Sequence, residues 1–242
     1  KSGGRRLLRF TGMMWNKGDG PLEIRSHRTK VGAPWDVDQV IYDSVAWTDP
    51  LHQLIVMANW IERGHAKSIV DLAWQRPRLW HRLLAQSLDP GYAPGALESI
   101  TEIHIEHGPH ALTQAWLLVG WLALRLGWRP QGGRVMPGPE VNWQFASMHG
   151  APRVRIRRLE SGAAEIRLMR VVTRVADQPV TFHFRAESAS RVSVFAEGLT
   201  DRMLSLTSPV QSRAAMVAHQ LADLAHDRRG DPDDERCEHD DQ

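Results

Sequence analysis

Apolar positions recur with two periods along this chain, helical in the first half and alternating in the second, with the change near residue 140. Val40-Ile41-Tyr42 reads as a short strand ended by Asp43-Ser44. Thr48-Asp49-Pro50 then supplies a helix start, with Asp49 as N-cap and Pro50 at the first helical position. Leu51, Leu54, Ile55, Ala58 and Ile61 follow at helical spacing to a stop at Gly64, and Ser68 to Leu72 reads as a second strand. Residues 40–72 are therefore predicted as one β-α-β unit. Pro77 opens the next helix, whose Leu79, Trp80, Leu83, Leu84 and Leu88 share a face before Asp89-Pro90-Gly91 ends it. Residues 98–106 alternate imperfectly, as a half-buried strand does, and Gly108-Pro109 breaks them. From His110 to Leu126 the chain is apolar nearly all round, which predicts a helix buried on most sides with Gly127 as its left-handed cap.

Residues 130–139 read as a Gly/Pro-rich loop, after which strands with period 2 are predicted over 140–148, 153–159, 164–175, 179–187 and 191–197. Turn signals at His149-Gly150, Ser161-Gly162 and Ala176-Asp177 separate them and predict an antiparallel sheet. A last helix, from Val210 to about Arg228, is expected to cover the sheet's apolar face. The fold class is α+β: a partial β-α-β unit, a central buried helix and a C-terminal antiparallel sheet covered by a helix.

At 242 residues and 42% hydrophobic content the chain can bury a proper core. Its formal charge of +2 hides an asymmetry, because residues 231–242 carry seven acids and one Arg while the rest is basic. Such a tail is predicted to be disordered. The one cysteine, Cys237, lies in it, which leaves no internal disulfide framework and no cysteine-rich zinc site. No apolar run reaches the roughly 18–20 residues that span a bilayer, and no signal-peptide pattern follows Lys1. The expectation is a soluble cytoplasmic protein without a membrane partner.

Three constellations could carry chemistry. His104, His107 and His110 recur at spacings of three, which brings imidazoles together on a helix. Here the stretch is strand-like and broken before His110, so no metal site is assigned and no cofactor is called. The second is the sheet, where alternation places Arg153, Arg155 and Arg157, and likewise Thr181, His183 and Arg185, opposite the apolar positions. Residues 153–191 hold nine Arg against four acids. That face is either a solvated polar surface or a dock for an acidic protein surface, a phosphate or nucleic acid. Arg favours specific contacts, because its fork pairs bidentately with carboxylates and phosphates. The absence of aromatics on the cationic face speaks against stacking of single strands. The third is the set Trp74, Trp80, Trp116, Trp121 and Trp128 with Arg76 and Arg125. Most should be core, with Trp80 or Trp128, at helix margins, expected to be partly exposed.

Dinucleotide, P-loop, nucleophile-elbow and zincin motifs are all missing. Trp15 to Gly20 reads as a surface loop whose Lys17 could meet a phosphate, and Asp43-Ser44 as a strand cap.

The spacing Asp71, Leu72, Trp74, Arg76, Trp80, followed by Gly120-Trp121-Leu122-Ala123 and Arg125-Leu126-Gly127-Trp128, resembles the OpcA family. Met13-Met14-Trp15 with Gly18-Asp19, and Val40 to Ser44, are similar to the end of that family's α/β domain. The resemblance implies a non-catalytic assembly or activator protein of glucose-6-phosphate dehydrogenase, supporting NADPH production in the oxidative pentose phosphate pathway. It transfers no catalytic residue. In some members cysteines are linked to thioredoxin control; Cys237 by itself allows no intramolecular switch. The expected division is a remnant of the α/β domain over 1–72, an α+β domain over 73–229 and the acidic tail over 230–242. The dehydrogenase is the expected partner, bound by Arg76, Trp80, Arg125, Trp128, Arg155, Arg157 and Arg185. Nucleic acid on the basic sheet is the alternative.

Overall fold

The computed structural model describes residues 37–47, 49–62, 66–136, 138–199, 203–212 and 214–219. These fall into two compact units, one holding 37–40 with the described part of 47–69, the other 41–46 with the described residues from 70 on. The expectations for residues 1–36, for Cys237 and for the acidic tail lie outside the described residues.

The first unit carries most of β1 (Val37–Tyr42), α1 (Pro50–Glu62) and most of β2 (Ala66–Asp71). The two strands pair as a two-stranded sheet. Asp49 caps α1 as its sequence demands, accepting the His52 N–H at 3.1 Å.

The second unit is built on an eight-stranded sheet. Its strands are β3 (Glu102–His107), β4 (Arg129–Val135), β5 (Glu140–Ala146), β6 (Arg153–Arg158), β7 (Ile166–Val175), β8 (Gln178–Ser188), β9 (Arg191–Glu197) and β10 (Met203–Thr207). Their spatial order is β10-β9-β8-β7-β3-β6-β5-β4. The sheet is antiparallel except where β3 enters its middle, parallel to β6 and antiparallel to β7. Ile103 and Ile105 explain the insertion. Both are fully buried, so β3 belongs in the centre of a sheet rather than at an edge. Ala176 and Asp177, at φ 47° and 66°, make the two-residue turn whose backbone twist matches the β7–β8 hairpin.

One face of this sheet is closed by α2 (Arg78–Ser87) and α3 (Leu112–Arg125), α2 over β9 and β10 and α3 over β3 and β6. Leu79, Trp80, Leu83 and Leu84 recur at three and four residues along α2 and are all buried, joining Ile103, Ile105, Val154, Ile156, Met169, Phe182 and Phe184 in one core. Burying each such side chain stabilises the fold by roughly 1.5–3 kcal/mol. Past α3, Gly127 takes φ 64° and the Trp128 N–H returns to the Ala123 carbonyl at 2.8 Å, the glycine-capped helix end that the sequence predicts.

Of the predicted last helix, 210–212 are not helical, 214–219 are, with Met216 buried, and 220–228 lie outside the described residues. Three expectations need correction. α3 keeps an open strip at Gly120, Leu124 and Arg125, with Leu124 80% exposed, while β3 and β6 pack on one side of it and the turns at 44–46 and 72–75 also pack against it. Residues 129–135 are a strand despite their Pro and two Gly, because β4 is an edge, where Pro130 sits beside a register shift and Gly133 lets the Trp143 ring lie against the backbone. β10 is a strand that the alternation does not predict; its Leu204 and Leu206 pack against the core.

Candidate functional site

The second face of the eight-stranded sheet is polar, and neither α2 nor α3 packs on it. Strand register arranges its side chains in rows. The middle row runs Arg134, Asn142, Arg155, His104, Arg170, His183, Phe195 from β4 across to β9. On one side of it lie Gly132, Gln144, Arg153 and Glu102, on the other Glu140, Arg157, Glu106 and, two strands further, Arg185. Acids and arginines meet in the two outer rows because two sequence triplets, Glu102/His104/Glu106 on β3 and Arg153/Arg155/Arg157 on β6, lie side by side, whereas the middle row holds no acid.

Carboxylates pair with three of these six arginines. Arg170 donates to Glu102 at 3.0 Å, Arg157 lies 3.7 Å from Glu106 and Arg155 lies 3.5 Å from Glu140. Exposed pairs of this kind contribute roughly 0.2–1 kcal/mol each. His104 sits at the centre. Burial lowers its pKa, and Arg155 and Arg170 push the same way against Glu106 and Glu140, so the imidazole stays neutral between two guanidinium groups.

At the β4–β6 corner the row begins with Gly132, which places no side chain on the face, and a Cβ built there meets nothing within 4 Å. A cavity of about 530 Å³ opens at this corner, with Arg134, Asn142, Gln144, Arg153, Arg155 and Glu102 in its lining.

A second polar node lies where β1 and β2 end. Asp71 accepts the N–H groups of Ser44 and Ala73 at 3.1 and 2.9 Å. Burial raises its pKa, and the Ser44 and Ala73 hydrogen bonds pull the other way. Burial and the nearby Asp71 carboxylate also push the Tyr42 phenol up. Beside them Arg76 donates to both oxygens of Asp43, at 2.7 and 2.9 Å. Asp43-Ser44 thus caps its strand as expected, with Asp71 and Arg76 as the partners that the sequence concealed.

The predicted contact residues separate into three environments. Arg76 is engaged by Asp43, with its side chain 26% exposed. Trp80 and Trp128 are only 5% and 8% exposed, which corrects the expectation that one of them reaches the surface. Trp80 falls on the apolar stripe of α2, and Trp128 packs on Phe145 with ring centres 5.8 Å apart. The half-exposed tryptophan is Trp74, which flanks His81, itself tilted against Trp121 with ring centres 4.4 Å apart. Burial, followed by Arg78, lowers the His81 pKa to about 4. Arg125 is exposed at the end of α3, and Arg155, Arg157 and Arg185 all project from the polar sheet face.

His104, His107 and His110 do not converge. His104 faces the open side, His107 is buried and donates through Nδ1 to the Gly108 carbonyl at 2.7 Å, and His110 is exposed at φ 63°. Among the described residues no group of three potential ligands could hold a metal ion, and no helix is long and apolar enough to cross a membrane.

The paired charges, the corner at Gly132 and the counter-charges Glu102, Glu106 and Glu140 are not evident from the sequence. Their signal lies in the complementary acidic and basic triplets of β3 and β6, but nothing in the chain says that these strands are neighbours.

A sheet closed by helices on one side and presenting a charged, ordered face on the other defines a one-sided α+β domain. A family model described as the C-terminal domain of a glucose-6-phosphate dehydrogenase subunit matches residues 67–229, and the chain belongs to this OpcA family. It is 35% identical over 103 residues to a protein of Synechocystis sp. named for the OxPP cycle and OpcA, a match covering 42% of this chain and 21% of that protein. A relative of the same name from Nostoc punctiforme is 33% identical over 93 residues, covering 38% and 20%. The matched stretch thus spans about a fifth of the length of these relatives. A dehydrogenase (MviM) from Clostridium difficile is similar at TM-score 0.40 and 12% identity over 78% of this chain and 63% of that one. An oxidoreductase from Sinorhizobium meliloti is similar at TM-score 0.44 and 14% identity over 80% and 63%.

Proposed function

We propose that this chain is a non-catalytic protein of the cytoplasm that binds glucose-6-phosphate dehydrogenase and promotes its active oligomer, serving the oxidative pentose phosphate pathway. The observation that carries this reading is the family match over 67–229, a span that includes the whole eight-stranded sheet. In this reading residues 73–229 are the binding domain. The contact is made by Arg155, Arg157 and Arg185 on the open sheet face and by Arg125 at the end of α3. Trp80 and Trp128 act indirectly, by holding α2 and the α3–β4 connection against the sheet. Binding activates only if the active oligomer is bound more tightly than the inactive one.

A mixed face suits a protein partner better than a polyanionic strand. The ion pairs of Arg155, Arg157 and Arg170 leave much less unmatched positive charge than the arginine count suggests. The test is to assay purified glucose-6-phosphate dehydrogenase from the same organism with and without the chain, at physiological salt, following NADPH formation and oligomer mass together. A rise in activity with a larger complex is expected. No change in either, with the chain shown to be folded, would overturn the reading.

A further inference from the structure

We propose that the corner of the open sheet face at Gly132 is a binding site for a small hydroxylated phosphate monoester, independent of any protein partner.

The corner exists because of one residue. Along β5, β6 and β3 the row Gln144, Arg153, Glu102 is complete, but its β4 position is Gly132, so the row stops one side chain short. The resulting cavity, about 530 Å³, is within the range that holds small molecules.

Arg155, Arg157 and Arg170 each reach a carboxylate, whereas the side chains of Arg134, Arg153 and Arg185 have no hydrogen bond or ion pair among the described residues; of these three, Arg134 and Arg153 line the cavity. Arg155 joins them, held only loosely by Glu140 at 3.5 Å. Strand spacing puts the backbones of Arg134 and Arg155 about 10 Å apart, and those of Arg153 and Arg155 about 7 Å apart, so the three forks can close on one anion. Like charges this near repel one another. A phosphate dianion relieves that repulsion and meets the planar forks bidentately, which a halide cannot do. His104, the next residue in the row, is kept neutral and adds no competing charge.

Beside the apolar Met136, Trp143 and Val154, the lining offers amide donors and acceptors from Asn142, Gln144 and Gln131, and Glu102, anchored by Arg170 at 3.0 Å, is an acceptor for hydroxyl groups. The set suits a polyhydroxylated body better than an apolar one. It also suits a compact anion better than a polymer, since the face beyond the corner is largely charge-paired.

Titration calorimetry on the full chain at fixed ionic strength tests this, with inorganic phosphate, glucose 6-phosphate and glucose as separate probes. Saturable one-to-one binding is expected for glucose 6-phosphate, at least about fivefold tighter than for phosphate, with none for glucose. Arg153→Gln should weaken it at least about tenfold. Arg191→Gln, which removes the same charge from the far side of the same face, should leave it unchanged, with thermal unfolding confirming that both variants are folded. Absence of saturable binding by either phosphate probe overturns the proposal, and so does equal weakening by the two substitutions, which would mark general surface attraction. Equal affinity for the two phosphate probes overturns the recognition of the hydroxylated body. The dehydrogenase takes no part in these measurements, so their failure is separate from failure of the partner reading.

Discussion

Arg76 holds Asp43 through both guanidinium arms, at 2.7 and 2.9 Å, and so ties the residue that follows β1 to the turn that precedes α2. The two residues are 33 positions apart, and the Asp43 side chain is only 9% exposed. A carboxylate so placed needs its cation. Lysine keeps the charge but loses the fork, so Arg76→Lys should lower stability by about 1–2 kcal/mol in urea unfolding. Arg76→Ala should cost more, since it removes both hydrogen bonds to the buried carboxylate.

His81 gives the protein an acid-side sensitivity. In the unfolded chain its imidazole takes a proton near pH 6.5, whereas in the fold burial and Arg78 delay this to about 4. Between these values the unfolded state binds more protons, so stability falls as pH drops from 6.5 towards 4. The loss should be on the order of 1–2 kcal/mol, discounted for partial exposure. His81→Phe keeps a ring between Trp74 and Trp121 and should flatten that part of a stability profile measured by chemical unfolding across the window.

Gly108 is required for a reason unrelated to turn propensity. A Cβ on it would sit 1.8 Å from the Ala163 carbonyl oxygen, a backbone atom that cannot rotate away, while its N–H donates to the Glu165 carbonyl at 2.9 Å. Gly108→Ala should therefore destabilise by about 3 kcal/mol or more. Gly120→Ala, on the exposed side of α3 with open space around it, should be neutral or stabilising by up to about 1 kcal/mol. Thermal unfolding of the pair checks both.

Trp80 and Trp128 should behave as core residues rather than contact residues. Trp80→Ala is expected to cost about 3–5 kcal/mol, with any loss of partner binding tracking the unfolded fraction. A variant folded to the wild-type extent that still fails to bind would return Trp80 to the interface.

Arg155→Glu with Arg157→Glu places carboxylates opposite Glu140 and Glu106, in the positions of the present ion pairs. The fold should lose only about 1–2 kcal/mol, because both sites are exposed. Association with the dehydrogenase should be abolished, as read by co-sedimentation. Unchanged affinity would clear this face of the role.

Legibility followed the range of the interaction involved. The Asp49 cap, the apolar stripe of α2, the Gly127 helix end and the Ala176-Asp177 turn each depend on residues a few positions apart, and each stands where the sequence puts it. The candidate site was legible only as composition. Alternation located Arg155, Arg157 and Arg185 on a polar face, but the acids that neutralise it come from β3 and β5, and their pairing with β6 is a matter of strand order.

The sequence by itself determined the apolar stripe of α2 and the alternation of the strands, since these require only local periodicity, and its two tryptophan blocks pointed to the family. Tertiary structure alone decided that β3 lies between β6 and β7, that Pro130-Gln131-Gly132-Gly133 is an edge strand rather than a loop, and that Trp80 is core while Trp74 is half-exposed. It also decided where positive charge is left unmatched. Those outcomes depend on which distant segments become neighbours, a choice made by the summed packing of the whole sheet and not by any window of the chain.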